Sequence, residues 1–168
     1  MEAIFTRRSV RSYSDEPVEK EKIDKLLRAG MQAPSAMNKQ PWEFLVIQSK
    51  KTLMDLSKMS MFAKMVASAS LAIILLGDYR EGQSQKFFPQ DMSAASENIL
   101  LEATELNLGA VWLGVHPISQ RQKYIKDLFK LPEGVIPFSV IAIGYPKNKE
   151  SNKFVDRYRQ DKVHFERY

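Results

Sequence analysis

Apolar residues along this chain recur with a helical period in some stretches and as continuous short runs in others. Residues 19–32 carry Ile23, Leu26, Leu27, Gly30 and Met31 at helical spacing, which predicts an amphipathic helix. Ser14-Asp15-Glu16-Pro17 reads as the turn that leads into it. Trp42-Glu43-Phe44-Leu45-Val46-Ile47 predicts a strand, and residues 49–59 a helix with Leu53 and Leu56 inward. Residues 70–76 are a continuous apolar run, as expected of a strand buried on both faces. Residues 90–108 read as the longest helix, with Met92, Ala95, Ile99 and Leu106 on one face and a second row, Ala94, Leu101 and Leu108, beside it. Two apolar rows imply burial on more than one side, as in a central core helix or in a core helix that also packs against a second subunit, the latter being favoured in a domain this small. Asn107-Leu108-Gly109 supplies a left-handed cap. A strand over 110–115, a helix over 120–130 opened by the capping-box pattern Ser119-Gln120-Arg121-Gln122, and a strand over 136–143 complete the pattern.

The stretches between these elements are less regular. Residues 1–8 suit two helical turns with Ile4 and Phe5 inward. Ala33-Pro34-Ser35-Ala36-Met37-Asn38-Lys39-Gln40-Pro41 is an irregular loop, with two prolines and the hydrogen-bonding side chains Ser35, Asn38 and Gln40. Residues 59–89 include an apolar stretch, Met61, Phe62, Met65 and Val66, and later Phe87-Phe88-Pro89. These aromatics and methionines suit either ordinary core or the wall of an adaptable pocket. From about residue 145 the chain turns basic and aromatic, without a helical period. An extended tail packing on the partner subunit is the expectation, with Val163-His164-Phe165 able to add a strand. The whole, residues 1–168, is expected to form one α+β domain.

Composition narrows the chemistry. The absence of cysteine excludes disulfides, thiolate nucleophiles, iron–sulfur clusters and cysteine-bound zinc, and fits a cytoplasmic protein. No secretory signal is visible, and the longest apolar run is far too short to span a bilayer, so no membrane role is expected. The net charge of +5 permits an anionic partner, nucleic acid included. Neither a recognition-helix motif nor an RNA-binding signature accompanies it, so nucleic-acid binding is the weaker alternative. The seven glycines never fall in G-x-G spacing, which removes the dinucleotide fingerprint and the P-loop. The two histidines, His116 and His164, have no companions at metal-ligand spacing, so no metal is expected. The chain is thus poor in its own nucleophiles and bases, and an enzyme of this composition would rely on a cofactor. Arg7, Arg8, Ser9 and Arg11 supply donors suited to a phosphate, although a solvated basic segment would read the same way. Trp112 and Gly114 stand near a strand end, where backbone can approach a flat ring.

Taken in order, Arg7-Arg8-Ser9-Val10-Arg11-Ser12-Tyr13, then Ala33 to Trp42, then Asn107-Leu108-Gly109-Ala110-Val111-Trp112-Leu113-Gly114, then Ile143-Gly144-Tyr145-Pro146, and the tail motifs Asp156-Arg157-Tyr158 and Val163-His164-Phe165 resemble the nitroreductase family of FMN flavoenzymes. The resemblance runs from end to end. It implies a central, mostly antiparallel sheet flanked by helices, in an intertwined homodimer with FMN at the subunit interface. Arg7, Arg8, Ser9 and Arg11 match the segment that holds the phosphate and the pyrimidine edge. Pro34, Ser35, Ala36, Asn38 and Gln40 match a loop supplied by the other subunit. Trp112, Leu113 and Gly114 match the segment along the isoalloxazine, and Arg157 matches a C-terminal phosphate ligand, with Lys153 as a looser match. No side chain matches a catalytic residue, the chemistry being that of flavin N5. The implied activity is ping-pong reduction of nitroaromatics, quinones or related acceptors by NADH or NADPH. Reductive dehalogenation and flavin fragmentation occur on the same scaffold and are the alternatives within it. The chain departs from the family pattern at Asn107, often glycine, and at Tyr168, often tryptophan.

Overall fold

The computed structural model describes residues 2–80 and 85–168. Four strands, β1 (Trp42–Ile47), β2 (Leu71–Asp78), β3 (Gly109–Gly114) and β4 (Val135–Gly144), form one sheet in the order β1-β2-β4-β3, every neighbouring pair antiparallel. Among the described residues, five α-helices accompany them: α1 (Ala3–Thr6), α2 (Lys20–Met31), α3 (Lys50–Ser57), α4 (Phe88–Glu105) and α5 (Ser119–Phe129).

Side chains on successive strand residues point to opposite faces, so each face builds its own core. Leu71, Ile73 and Leu75 of β2, with Ile141 and Ile143 of β4, pack against Leu26 of α2 and Met92 and Ile99 of α4. Ala72, Ile74 and Leu76, with Val140 and Ala142, pack against Leu53 and Leu56 of α3, Val66, and Ile125 of α5. Full burial of residues 71–77 agrees with the continuous apolar run. No helix of the described residues is long and apolar enough to cross a membrane.

One irregularity in the ladder matters for the site. Leu75 pairs with Ser139 but Leu76 pairs with Pro137, so Phe138 is skipped. Proline has no N–H to give the ladder, and a bulge accommodates it. The Phe138 ring lies among Trp112, Phe88 and His116, with centroids 5.7, 5.4 and 6.1 Å away. Its carbonyl accepts from the N–H groups of Val115 and His116 at the end of β3.

Several elements differ from expectation. The first helix is one turn, Ala3–Thr6; Ala3 is buried while Ile4 and Phe5 point outward, so the local apolar pair is not core. Met31 closes α2 on the exposed side. The apolar stretch after α3 is a run of 3-10 turns, Met61–Ser68, that buries Ala63 and Val66 and leaves Met61 and Phe62 outside. Helix α4 starts at Phe88, with proline at its first turn, and ends at Glu105, so Leu106 and Leu108 lie beyond it. Asn107 takes φ 59°, the left-handed cap expected of it. The capping box does not form: Ser119 is already helical, and Ile118 holds the cap position. The tail after residue 152 is extended and exposed, and Val163-His164-Phe165 joins no strand. Part of the polar stretch before Phe87, residues 81–84, lies outside the described residues.

Candidate functional site

Residues 9–13 run along one end of the sheet. Ser9 bridges in parallel to Ala110 of β3, and Val10 N–H donates to the Ala110 carbonyl at 3.0 Å. This contact is close because Gly109 lacks a side chain: a Cβ there would meet Val10 Cγ1 at 2.6 Å. Tyr13 bridges Pro146, and its hydroxyl donates toward the Val10 carbonyl (2.6 Å), with the Ala142 carbonyl at 3.1 Å. Burial pushes that hydroxyl well above the ordinary tyrosine range, against a smaller opposing pull from Arg11, so it stays a protonated donor.

The segment so held forms one wall of a cavity of about 490 Å³, lined by residues 8–12 with Lys147, Asn148, Ser151 and Lys153. Four cationic residues, Arg8, Arg11, Lys147 and Lys153, therefore line one concavity, with no carboxylate residue in its lining among the described residues. Arg8 Nη1 donates to the Arg7 carbonyl at 3.0 Å. Arg8 Nη2 is buried and has no hydrogen-bond partner among the described residues. A buried guanidinium N–H without a partner is costly, and the cationic residues that line the cavity suit an anion. The residues present fit a phosphate.

Not all of the expected site residues meet here. Arg7 turns away and lies 3.1 Å from Glu97 Oε1 of α4. Arg157 is exposed on the tail and does not line the cavity. Trp112 is half-buried against Phe138, and Leu113 points into the opposite core. Gly114 ends the strand facing open space, with nothing within 4 Å of where a Cβ would stand. Its carbonyl accepts from Arg121 Nη1 of α5 at 2.7 Å.

The loop residues Pro34, Ser35, Ala36, Asn38 and Gln40 contribute nothing to the lining of this cavity. They form a self-contained turn. Ser35 Oγ accepts the Gln40 N–H and Asn38 Oδ1 accepts from Gln40 Nε2, both at 2.9 Å. Met37, Asn38 and Gln40 all adopt φ between 48° and 53°. The buried Asp91 of α4 ties the loop to the body by accepting the Ala36 N–H at 2.9 Å.

Sequence reasoning missed Lys147, Asn148 and Ser151 as wall residues, and Arg121, Asp91 and Tyr13 as anchors. The charge density after residue 145 was a signal for Lys147. Asp91 and Tyr13 act through partners remote in sequence, Asp91 reaching Ala36 across 55 positions and Tyr13 reaching Ala142 across 129.

The fold and the cavity define the class: an α+β protein with an antiparallel sheet and a cation-lined concavity beside its edge strand. The chain belongs to the nitroreductase family, whose model matches residues 4–72 and 57–145. It is similar to a protein of Archaeoglobus fulgidus provisionally described as an NADH dehydrogenase/NAD(P)H nitroreductase, at 42% identity over all of this chain and 98% of that protein. A solved structure from Clostridium acetobutylicum, provisionally described as an NADH oxidase, is 51% identical and covers 99% of both chains with a TM-score of 0.95. An FMN-dependent nitroreductase from Clostridium difficile is 32% identical over the full length of both chains, with a TM-score of 0.90.

Proposed function

We propose that this protein is an FMN-dependent oxidoreductase that takes electrons from NADH or NADPH and passes them to nitroaromatics, quinones or related acceptors in a ping-pong cycle. The observation that carries this reading is the four-cation cavity with its unpartnered Arg8 Nη2. Its position beside β3, in a member of this family, makes FMN phosphate the fitting occupant.

The bound flavin supplies the redox chemistry at N5, and the protein supplies binding, orientation and electrostatics. Arg8 and Arg11, with Lys147 and Lys153, would hold the phosphate. A guanidinium near the ring would also stabilise the negative charge of the reduced flavin. Along β3, the Ala110 carbonyl faces the arginine segment. By strand alternation the backbone of Trp112 faces the same edge. At Gly114 no side chain stands in the way of a flat ring.

The loop around Ser35, Asn38 and Gln40 would form the facing wall, supplied by a second copy of the chain. Two features support a homodimer. The tail leaves Phe154, Tyr158, Phe165 and Tyr168 uncovered, and α1 leaves Ile4 and Phe5 uncovered. The outer row of α4, Ala94 and Leu101, is only half-buried.

The test is direct. Purified protein should carry FMN, identified by its absorbance and by mass after release. Anaerobic mixing with NADH or NADPH should bleach the flavin, and a nitroaromatic or quinone should restore it. A colourless protein that FMN neither binds nor stabilises would sink the reading.

A further inference from the structure

The chain leaves β4 at Gly144 and at once pairs with the arginine segment. Ser14 N–H donates to the Tyr145 carbonyl at 2.9 Å, and Lys147 N–H to the Ser12 carbonyl at 3.0 Å. A single 3-10 turn, Lys149–Ser151, then folds the chain back. Asn148 caps it, its Oδ1 accepting the Glu150 N–H at 3.0 Å, while Ser151 Oγ donates to the Asn148 carbonyl at 2.6 Å. This turn delivers Asn152 to a point between two elements of the fold.

There the Asn152 side chain uses both ends of its amide. Oδ1 accepts the backbone N–H of Arg8 at 3.2 Å, and Nδ2 donates to the Leu108 carbonyl at 3.0 Å. Leu108 is the buried residue that leads from α4 into β3. An amide is the side-chain group that can offer an acceptor to one backbone and a donor to another from one planar unit. Asn152 does not itself line the four-cation cavity, whereas its neighbours Ser151 and Lys153 do. It lines the adjoining concavity instead. Beyond Asn152, the tail makes no hydrogen bond to the body among the described residues.

We propose that Asn152 is a positioning residue for the phosphate wall: its amide fastens the base of the C-terminal tail to the Arg8 backbone and the start of β3, so that Arg8 and Lys153 face the same anion. The inference rests on reading the cavity as the FMN phosphate site. Its physical content is preorganisation. Arg8 comes from the segment after α1 and Lys153 from the tail, and each must be held before an anion can engage both. Asn152 joins the two by one side chain, without touching the ligand.

The experiment compares FMN with riboflavin, which has the same ring and no phosphate. Full-length protein stripped of flavin is titrated with each, and binding is followed by quenching of flavin fluorescence. Asn152→Leu keeps the volume and removes both bonds; Asn152→Ala removes both bonds and the volume, and decides the matter if the leucine variant does not fold. We expect the Kd for FMN to rise roughly tenfold in either variant. The Kd for riboflavin should stay at its wild-type value. A merely structural role would weaken both flavins alike, and that result overturns the proposal, as does unchanged FMN affinity. Wild-type protein that binds riboflavin as tightly as FMN would overturn the phosphate assignment itself, and this is read before any variant is made.

Discussion

Arg8 has one guanidinium nitrogen bonded to the Arg7 carbonyl and another buried without a partner among the described residues. Its backbone N–H is taken by Asn152, so the main chain is fixed while the side chain keeps donor capacity in reserve. A hydrogen bond to a charged group contributes about 1.5–3 kcal/mol, and Arg8 lines the cavity where a phosphate would sit. Arg8→Ala should therefore raise the Kd for FMN about tenfold to a hundredfold, measured by fluorescence titration. Arg8→Lys should recover only part of the loss, because an ammonium cannot reproduce the planar fork. Unchanged affinity in Arg8→Ala would remove Arg8 from the site. Tyr13 shows the complementary case, a residue of the same segment spent on structure. Its buried hydroxyl holds the segment's backbone through the Val10 carbonyl, and its ring lies 3.1 Å from where a Cβ at Gly144 would stand. The cationic side chains and the tyrosine occupy one motif but divide its work between ligand and scaffold.

The arginine segment and β3 form a working unit only because they approach closely at Gly109. Any side chain there collides with the β-branched Val10, which has no flexible end to move aside. Gly109→Ala should push residues 8–11 off the strand, breaking the Val10–Ala110 bond at 3.0 Å and widening the cavity. Lower FMN retention on purification, together with a loss of about 1–3 kcal/mol in urea unfolding, is the expected outcome. A variant with wild-type flavin content would show that this approach does not shape the site. The 33–41 loop is built differently. Three residues at positive φ other than glycine, each costing about 1–2 kcal/mol, are held by bonds inside the loop and one tie to Asp91. Such an internally bonded turn holds a fixed shape away from the cavity of its own chain, as the proposed role on a second copy requires.

The chain taken alone leaves its C-terminal tail unpacked. Phe165 is 85% exposed, and the neighbouring aromatics are also outside. Exposed aromatic residues along an extended basic tail are costly to leave in water and mark an interaction surface. In the proposed homodimer a second copy would cover them and supply the facing loop. Sedimentation should therefore find the full chain at twice its monomer mass. Deleting residues 153–168 should weaken association by at least tenfold and lower flavin content with it. An equally tight dimer without the tail would place the subunit contact elsewhere.

The sequence by itself determined the order of elements, the buried strand at 71–76 and the flanking helices, because these depend on periodicity over a few residues. It also determined the family, because Arg7 to Tyr13, the 33–42 loop and 107–114 are contiguous motifs. Tertiary structure alone decided which arginine does what. Arg7 pairs with Glu97 on α4 while Arg8 faces the cavity, though both stand in the same dipeptide. It also turned Ile4 and Phe5 outward and brought Lys147 and Lys153 beside residues 8–12. The arginine and lysine placements depend on partners ninety or more residues away, which no local pattern encodes. The stretch that opens as a run of basic residues thus becomes a site only when β3, the chain after β4 and the amide of Asn152 close around it.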